Sequence, residues 1–522
     1  MTLAAELVAL VACAGASVPG ALRWLRVAQR EHYLPGAATR FARRWWTSRP
    51  GHAALLAVAA AAAAASAVLP AAGLVAATLA ATGPPGLTVR GRTSRLRWTR
   101  RCSTVGVAVA AALVALVALG AVAAGLRGAV VAAAVVVVLL PIVVDGVLAV
   151  LSPVEDLLSR RFVRDAAARV ARVRPEIVGI TGSYGKTSTK VFVAHLAGAR
   201  FSVVASPRSF NNRAGLARTV NELLVPGTEV LVAEMGAYGP GEIAELCSWL
   251  PPRIAVITAI GPVHLERFGT LDRTLAAKSE ITATADAVVL NTDDPALAGL
   301  ADRLGAQGRR VVRCSAHDEA CEVAVVEQRD GLALYRSGAR VGVAVTGPGG
   351  APSARSNVAV AAAVALELGC APAEVVDRLA TLPSVANRLA AARGATGTLV
   401  LDDTFNSNPA GAALALAELG ARARPGSRRV VVTPGMVELG SAQASENAAL
   451  ARAAATVATD VVIVGRTNRR SLAAGIAEAR TSGHDVAVRY VARREDAVAF
   501  VRSALGPDDV VLYENDLPDH YP

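Results

Sequence analysis

Residues Ile180–Lys190 read ITGSYGKTSTK and follow a short apolar run, Ile177–Ile180, that predicts a β-strand. A glycine turn between a strand and a helix directs backbone N–H groups at an anion, with Lys186 as a point charge and Thr187 placed to reach a magnesium ion. The stretch is shorter than the GxxxxGK[ST] pattern, because Ile180 occupies the first glycine position. It therefore predicts a phosphate-binding loop, with a fortuitous glycine turn as the alternative.

The segments around and beyond this loop alternate between short Val/Ile-rich runs and Ala/Leu/Glu-rich stretches, which indicates parallel α/β sheets. A composition break at Asn387–Gly397 suggests a hinge between two such series. We expect a multi-domain chain, with a central α/β P-loop domain at residues 175–386 and a C-terminal Rossmann-like α/β domain at residues 387–522. The predicted strands are Ile177–Ile180, Val230–Glu234, Ile254–Thr258 and Ala287–Asn291, then Thr398–Asp402, Val430–Thr433, Val461–Val464, Val486–Val491 and Val510–Tyr513.

The residues before position 152 have a different character, because arginines there flank long apolar runs. Residues 1–101 hold thirteen arginines and two glutamates, which accounts for nearly all of the net charge of +12. A basic region can indicate nucleic acid or an anionic membrane, and the apolar runs favour the membrane. The runs are Leu3–Leu22, Ala53–Ala81, Val105–Leu126 and Ala129–Leu151.

Charge also predicts the topology of this transmembrane region, residues 1–151. The basic loops Arg23–Arg49 and Arg90–Arg101 should both face the cytoplasm, so Ala53–Ala81 should cross twice as a hairpin that turns near Pro70–Gly73. We therefore predict about five spans, with four as the alternative. The localisation that follows is a multi-pass protein of the cytoplasmic membrane with cytoplasmic catalytic domains. No nucleic-acid partner is expected.

Two features lie at the end of this region. Asp145 is a carboxylate within an apolar run, so it is either a functional group or a residue near a helix end that caps a turn. Ser152–Arg174 predicts an amphipathic linker helix, residues 152–174. Six scattered cysteines without a CxxC pair exclude a disulfide scaffold and a zinc module.

The chain has 54 lysines and arginines together, and only three of these are lysines: Lys186, Lys190 and Lys278. In such a composition the remaining lysines mark positions where a compact amine is needed, since arginine cannot imitate one. The phosphate loop explains Lys186, whereas Lys278 requires either chance or another role. Glu234 and His264 each follow a predicted strand, and carboxylates and imidazoles at strand ends near a phosphate loop are candidate metal ligands.

In this order the motifs resemble the Mur ligase family, ATP-dependent enzymes that add amino acids or a dipeptide to a peptidoglycan precursor. The resemblance covers roughly Pro175–Tyr513 and is strongest to the branch that adds D-alanyl-D-alanine, the MurF type. Nine pieces in family order make it specific. They are TGSYGKTST, SFNNRAG, AEMGAYGPGEI, GPVHLERFGTLD, AAKSEI, NTDD, SNVAVAAAVALELG, NRL and LDDTFNSNP.

The resemblance implies that ATP binds at the glycine loop and that the C-terminal domain closes over it. Asn357 would contact adenine, Arg388 the γ-phosphate and Asp403 the ribose, with Asn406 and Asn408 nearby. The implied nucleotide-binding residues are Gly182, Gly185, Lys186, Thr187, Ser188, Asn357, Arg388, Asp403 and Asn406.

The resemblance also implies a magnesium site and a reaction. Lys278 would be carbamylated, which turns an ammonium into a carboxylate-like metal ligand and explains why arginine does not replace it. The implied metal ligands are Thr187, Glu234, His264 and Lys278. The implied catalytic residues are Lys186, Glu234, His264, Lys278 and Arg388. The implied substrate-binding residues are Asn211, Asn212 and Asn408. The reaction would pass through an acyl phosphate on the acceptor, which an incoming amine attacks.

Four departures from the family pattern concern the acceptor and amine. Membrane spans replace the amino-terminal domain that grips the UDP group, and Arg213 stands where an acidic residue is usual. Glu514–Asp516 replaces a basic segment, and Asn447 replaces a histidine. The acceptor is therefore a UDP-linked muramoyl peptide, a lipid-linked form of it, or another envelope polymer. A membrane P-loop ATPase for transport or assembly is the alternative function.

Overall fold

The computed structural model describes residues 2–91, 95–207, 210–345, 354–405 and 407–522. These residues form two compact units, which we call the helical unit (1–158 with 517–522) and the α/β unit (159–516). The division differs from the predicted boundaries in two respects. The helical unit ends at residue 158, within the predicted linker helix 152–174. Residues 517–522, predicted as the end of the C-terminal domain, pack with the N-terminal helices.

The helical unit is built from α1 (Thr2–Arg30), α2 (Ala37–Thr47), α3 (Pro50–Ala65), α4 (Ala72–Thr82), α5 (Arg100–Val138) and the first part of α6 (Leu140–Val173). Helices α3 and α4 form the predicted hairpin, which turns at residues 66–71. Helix α5 is interrupted at Ala124 and Gly125, where the backbone leaves the helical region. The break allows α5 to fold back on itself so closely that a Cβ on Gly120 would lie 2.5 Å from the carbonyl oxygen of Gly128.

Of the described helices, two are long and apolar enough to span a membrane, Leu3–Arg30 and Arg100–Val138. Five spans were predicted, but α3 and α4 are too short to count as spans. They have 16 and 11 residues, and a span needs about 20. The predicted run Ala129–Leu151 is divided at Leu139, where α5 ends. The predicted linker helix 152–174 is continuous with the apolar residues before it, within α6.

Asp145 caps a helix in the helical unit. The backbone amides of Ala38 and Thr39, in the first turn of α2, donate to its carboxylate at 3.1 and 2.8 Å. The residue before α2, Gly36, offers no side chain for this purpose. The capping alternative for Asp145 therefore describes its contacts, although its partner is α2 rather than the turn after Pro141.

The last residues of the chain lie among the N-terminal helices. Asp519 forms an ion pair of 2.7 Å with the fully buried Arg26. The ring of His520 contacts the Glu31 carboxylate at 3.2 Å, and its carbonyl accepts the indole N–H of Trp45 at 2.7 Å. These contacts hold residues 517–522 within the core of the helical unit.

The α/β unit begins with a nine-stranded sheet in the order β2-β3-β1-β4-β5-β6-β7-β8-β9. Strands β1 to β7 are parallel to one another. Strands β8 and β9 continue the sheet from β7 as an antiparallel meander. Its strands are β1 (Glu176–Thr181), β2 (Val203–Ala205), β3 (Val230–Glu234), β4 (Ile254–Ile257), β5 (Ala287–Asn291), β6 (Arg310–Ser315), β7 (Val323–Gln328), β8 (Gly331–Arg336) and β9 (Ala339–Val345). Its helices are α7 (Lys186–Ala197), α8 (Arg213–Leu223), α9 (Glu242–Trp249), α10 (Leu265–Phe268), α11 (Leu271–Ser279), α12 (Pro295–Ala306), α13 (Arg355–Leu368) and α14 (Pro372–Leu379).

The second sheet has six strands in the order β10-β11-β15-β12-β13-β14, with only β10 antiparallel to its neighbour. The strands are β10 (Ala390–Arg393), β11 (Leu399–Asp403), β12 (Arg429–Thr433), β13 (Asp460–Val464), β14 (Ala487–Val491) and β15 (Val510–Glu514). The helices are α15 (Pro409–Arg422), α16 (Gln443–Val457), α17 (Arg469–Thr481) and α18 (Arg494–Ala504). The prediction of two successive α/β domains is confirmed. Since β1, β3 and β4 are adjacent and parallel, their carboxyl ends meet at one edge, where ligands of such sheets bind.

Candidate active site

The loop between β1 and α7 requires glycine at two positions. Gly182 has φ +144°, and a Cβ there would lie 2.0 Å from the hydroxyl of Thr258. Gly185 has φ +83°, and a Cβ there would lie 2.4 Å from the side-chain oxygen of Asn357. The turn brings the chain to the start of α7 at Lys186, so that the helix amides face the space beyond the loop. This geometry suits a phosphate group.

Lys186 lies over its own loop. Its ammonium donates to the carbonyl oxygens of Gly182 at 2.7 Å and Ser183 at 3.3 Å. Burial lowers the pKa of Lys186, with the Arg388 guanidinium acting in the same direction and the Glu234 carboxylate opposing it. Within the loop this ammonium contacts neutral carbonyl oxygens. A bound anion would supply a negative charge to pair with it.

Glu234, at the end of β3, is the point where the loop and its neighbours converge. Its carboxylate accepts the Thr187 hydroxyl at 3.0 Å, the Lys190 ammonium at 2.9 Å and the Asn211 amide at 3.2 Å. The Glu234 residue is only 2% exposed. The sequence analysis gave no role to Lys190, although its rarity as a lysine pointed to one.

Lys278 lies on α11 and is 2% exposed. Burial lowers its pKa to about 7, with a further contribution from the charge of Lys186 and opposition from Glu242. Its ammonium lies 5.7 Å from the centroid of the Phe268 ring. At neutral pH a large fraction of this amine is uncharged, which is the form that can react as a nucleophile.

His264 faces the C-terminal domain. It precedes α10 with φ +61°, a left-handed conformation that is uncommon for a residue other than glycine. Its Nδ1 contacts the carboxylate of Glu438, and its ring lies 5.1 Å from that of Tyr238. Among the described residues, no hydrogen bond joins His264 to Glu234. The same residues contain no group of three or more His, Cys, Asp or Glu side chains with metal-binding geometry.

A cavity of about 710 Å³ opens beside the glycine loop, between the two domains of the α/β unit. Its volume is within the range of small-molecule sites. Of the residues predicted to bind nucleotide or substrate, those that line it are Gly185, Ser188, Asn357, Arg388, Asp403 and Asn408. Asn406 lies outside the described residues.

Arg388 and Asp403 place opposite charges on the C-terminal side of this cavity. Burial raises the pKa of Asp403 to about 6, although Arg388 and the backbone amide of Leu389 oppose the shift. That amide donates to the Asp403 carboxylate at 3.1 Å. Burial likewise lowers the pKa of Arg388, against the effect of Asp403 and Glu234. Both charges therefore gain from a polar ligand in the cavity.

Two of the predicted substrate residues are helix caps. The Asn212 side chain accepts the amide of Gly215 at 2.9 Å at the start of α8. Asn408 does the same for Gly411 at 2.9 Å at the start of α15. The position of each asparagine directly before a helix was the sequence signal for this role. Asn211, the third, contacts Glu234.

The NTDD segment holds an acidic pair that the sequence analysis did not assign. Asp294 caps α12 and accepts the backbone amide of Ile260 at 2.7 Å. Asp293 accepts the Ala316 amide at 2.9 Å. Both aspartates line the cavity, so they fix loops that shape its wall.

The departures from the family pattern have local explanations. Asn447 is fully buried, and its side chain accepts the amide of Met436 and donates to the same residue's carbonyl. Glu514 is also fully buried, with Ser407 donating to it, and burial raises its pKa well above the usual value. Arg213 pairs with Glu245 at 3.1 Å. Asn447 thus shapes a backbone loop, and Glu514 is a buried carboxyl beside Asp403 on the neighbouring strand.

Comparison with known proteins identifies two family domains in the α/β unit. Residues 180–365 match the Mur ligase middle domain, and residues 387–513 match the Mur ligase, glutamate ligase domain. The UDP-N-acetylmuramoyl-tripeptide–D-alanyl-D-alanine ligase of Mycobacterium tuberculosis (strain CDC 1551 / Oshkosh) is 34% identical over 358 residues, which cover 64% of this chain and 69% of the relative. The enzyme of the same name from Escherichia coli (strain K12) is 29% identical, with 59% and 68% covered.

Solved structures show the same fold. MurF ligase from Thermotoga maritima in complex with ADP has a TM-score of 0.57 at 24% identity, with 68% of this chain and 80% of that chain covered. MurF from Acinetobacter baumannii has a TM-score of 0.57 at 22% identity, with 68% and 76% covered.

Proposed function

Because the chain belongs to the Mur ligase family, we propose that it joins D-alanyl-D-alanine to a muramoyl-peptide acceptor, as the relatives named for that reaction do. The enzyme is an ATP-dependent, ADP-forming amide ligase. The observation that carries the proposal is that Gly185 and Ser188 of the glycine loop line one large cavity together with Arg388. Thr187, in the same loop, donates its hydroxyl to Glu234.

The proposed reaction is the one that membership of the Mur ligase family implies. The acceptor carboxylate takes the γ-phosphoryl group of ATP, which gives an acyl phosphate and ADP. The amine then attacks the acyl carbon, and the tetrahedral intermediate expels phosphate to leave the amide. Lys186 and the amides of α7 would neutralise phosphate charge from one side and Arg388 from the other. The enclosing domains would limit hydrolysis of the acyl phosphate by water.

The residues around Glu234 suit a magnesium ion that is shared with phosphates. Magnesium in such sites takes one or two protein oxygens and completes its shell with water and phosphate. The Thr187 hydroxyl and the Glu234 carboxylate already lie 3.0 Å apart and offer such a pair. When bound, the ion would neutralise charge on the phosphates. Lys190 and Asn211 donate to the Glu234 carboxylate and orient it.

We further propose that Lys278 is carbamylated. The amine is buried and its pKa of about 7 leaves much of it uncharged at neutral pH, as addition to carbon dioxide requires. The product is an anion, which the neighbouring charge of Lys186 would stabilise. An arginine at this position could not form it.

Membrane association of residues 1–151 is also a proposal, supported by the surface of the helical unit. Large apolar side chains point outwards along α5, with Val107, Val114 and Val122 between 70% and 86% exposed. Charged side chains lie inside, including Arg23 and Arg26. This distribution is the reverse of that in a water-soluble helical bundle and suits a lipid environment.

The basic loops support a lipid-linked acceptor. The Gln29 side-chain amide donates to the carbonyl of Arg97 at 2.7 Å, so the end of α1 and the loop before α5 lie at the same end of the helical unit. Arg30, Arg43 and Arg95 are exposed. Such a face would attract anionic lipid head groups at about 1 kcal/mol per basic residue. We propose that the acceptor is presented there.

The test is an acceptor-by-amine panel with the purified full-length chain. UDP-linked and lipid-linked muramoyl peptides are each combined with D-alanyl-D-alanine, D-alanine or no amine, together with ATP and magnesium, and ADP release is measured. We expect release that depends on both substrates and is fastest with the lipid-linked acceptor. Equal rates with the UDP-linked acceptor would contradict the lipid proposal alone, whereas ADP release independent of amine would contradict the ligase assignment.

Two variants test the pocket itself. Lys186→Ala should remove productive ATP binding, and Asp403→Ala should weaken it by about ten- to a hundredfold, since a charge-assisted hydrogen bond contributes about 1.5–3 kcal/mol. Arg424→Gln, an exposed change elsewhere in the same domain, is the control. Unchanged ATP titrations in both variants would refute the assigned pocket.

A further inference from the structure

A second cavity lies in the C-terminal domain, between the β10–β11 hairpin, β15 and α18. Its volume is about 270 Å³, below the usual range for drug-sized ligands. It is separate from the nucleotide cavity, because consecutive residues of a strand face opposite sides of a sheet. Asp403 lines the nucleotide cavity, and its neighbour Asp402 lines this one.

The lining of this second cavity carries both signs of charge. Asp402 and Tyr513 are partners in register on the adjacent strands β11 and β15, so their side chains emerge side by side, roughly 5 Å apart. Arg494 and Arg502 approach from α18. Val400, Val498 and Val501 supply an apolar wall.

Several polar groups in this cavity retain hydrogen-bonding capacity. The backbone amide and the hydroxyl of Thr404 both donate to Oδ1 of Asp402, at 3.2 and 2.6 Å. Within the described part of the chain, no group donates a hydrogen bond to Oδ2 of Asp402. Among the same residues, neither the Tyr513 hydroxyl nor the Arg502 guanidinium has a hydrogen-bond or ion-pair partner. Arg494 is held by Asp516 at 2.8 Å, which fixes its position at the cavity.

We propose that this cavity binds a small zwitterion of the amino-acid or short-peptide class. The ligand's ammonium would pair with Asp402, and its carboxylate would accept hydrogen bonds from Tyr513 and Arg502. A simple anion would meet the Asp402 carboxylate, and a simple cation would meet two arginines, so only a molecule with both charges satisfies the lining. The valines would contact a short apolar side chain.

The test is equilibrium dialysis of the full-length protein with radiolabelled D-alanine, L-alanine and D-alanyl-D-alanine, without ATP. Acetate and ethylamine, which carry one charge each, are the competing half-ligands. We expect saturable binding of at least one zwitterion and competition from the half-ligands that is at least about tenfold weaker, as expected when one charge-assisted contact is lost.

Variants assign the binding to this cavity. Asp402→Asn and Arg502→Gln should each remove one binding equivalent or weaken it at least about tenfold. Lys186→Ala and the exposed control Arg424→Gln should leave it unchanged. Thermal unfolding of each variant confirms an intact fold.

Unaltered stoichiometry and affinity in both cavity variants would overturn the proposal, as would the absence of saturable zwitterion binding. Neither result bears on the ligase assignment, because no turnover is measured. Failure of the acceptor-by-amine panel would in turn leave this binding intact.

Discussion

The helical unit and the α/β unit bury positive charge in different ways. In the helical unit the buried cations are arginines, and each contacts several groups at once. Arg23 donates to the carbonyl oxygens of Leu87 at 2.9 Å and Ala81 at 3.1 Å, and Arg26 joins Asp519 to the carbonyl of Thr88. In the α/β unit the buried cations at the site are the lysines Lys190 and Lys278.

The difference shows what each side chain contributes. A guanidinium has five donors in a fixed plane and remains charged, so it can hold a loop and a tail to one helix. An ammonium is compact, and burial can lower its pKa into the neutral range. The helical unit therefore uses buried arginines where charge supports structure, whereas the buried lysines of the site lie where the size or protonation of the cation matters to chemistry.

The strongest test of this distinction is Lys278→Arg. The guanidinium keeps the charge but cannot be carbamylated, so ligation should fall by at least about a hundredfold, as when a group that stabilises the transition state is removed. Arg273→Lys, an exposed change on the same helix, is the control. ADP release with both substrates is the measurement, and Lys278→Ala should be partly restored by short carboxylates. Near-normal turnover of Lys278→Arg would exclude the metal-bridging role.

The reverse exchange, Arg26→Lys, tests the helical unit. An ammonium cannot reach both Asp519 and the Thr88 carbonyl with the planar geometry of arginine. The free energy of unfolding of this unit should fall by about 1.5–3 kcal/mol, the contribution of one hydrogen bond to a charged group. Hydrogen exchange of α1 in the full-length protein measures it, with the exposed Arg43→Lys as control. Equal protection in both variants would show that the planar contacts contribute nothing.

The pH dependence should also separate the two kinds of cation. The pKa of Lys278 is about 7, so the uncharged amine predominates above pH 7 and declines below it. If the supply of uncharged Lys278 amine limits activity, the rate should fall by about fivefold between pH 7 and pH 6 when carbon dioxide is held constant. Initial rates at fixed ATP and a constant partial pressure of carbon dioxide check this. A flat profile over that interval would contradict a role for the neutral amine.

The smallest expected effect concerns the carboxylate that caps α2. Asp145→Asn retains the shape of the side chain but removes its charge, whereas Asp145→Ala also removes the acceptor. The alanine variant should lose about 0.5–2 kcal/mol of stability, the usual value of a helix cap, and the asparagine variant less. Thermal unfolding of the full-length protein compares them. Loss of ligation without loss of stability would instead indicate a functional role for Asp145.

Much of the α/β unit could be predicted because its central strands are continuous apolar runs. Val230–Glu234 was predicted as a strand and matches β3. All of its residues are buried, as expected for a strand that is covered on both faces of the sheet. The meander β7–β9 was not predicted, because the apolar runs of β7 and β8 are short and Gly342 lies within β9. Strands of that kind carry a weaker pattern, and tertiary pairing decides their conformation.

The site was predictable where local geometry determines it. The glycines of the phosphate loop and the position of Lys186 follow from the order strand, turn and helix. The contact between Lys190 and Glu234 joins residues far apart in sequence, so spacing alone could not show it. The orientation of His264 towards Glu438 depends in the same way on how the two domains of the α/β unit pack.

The packing of residues 517–522 among the N-terminal helices has a consequence for biosynthesis. A ribosome makes α1 before the segment that completes its core, and the whole α/β unit lies between them, so that Arg26 and Asp519 are 493 residues apart. At about 5–20 residues per second, that interval is roughly 25–100 s. During this time Arg26 and Trp45 lack the partners that Asp519 and His520 later provide. The helical unit can therefore acquire this set of contacts only after residues 517–522 have been made.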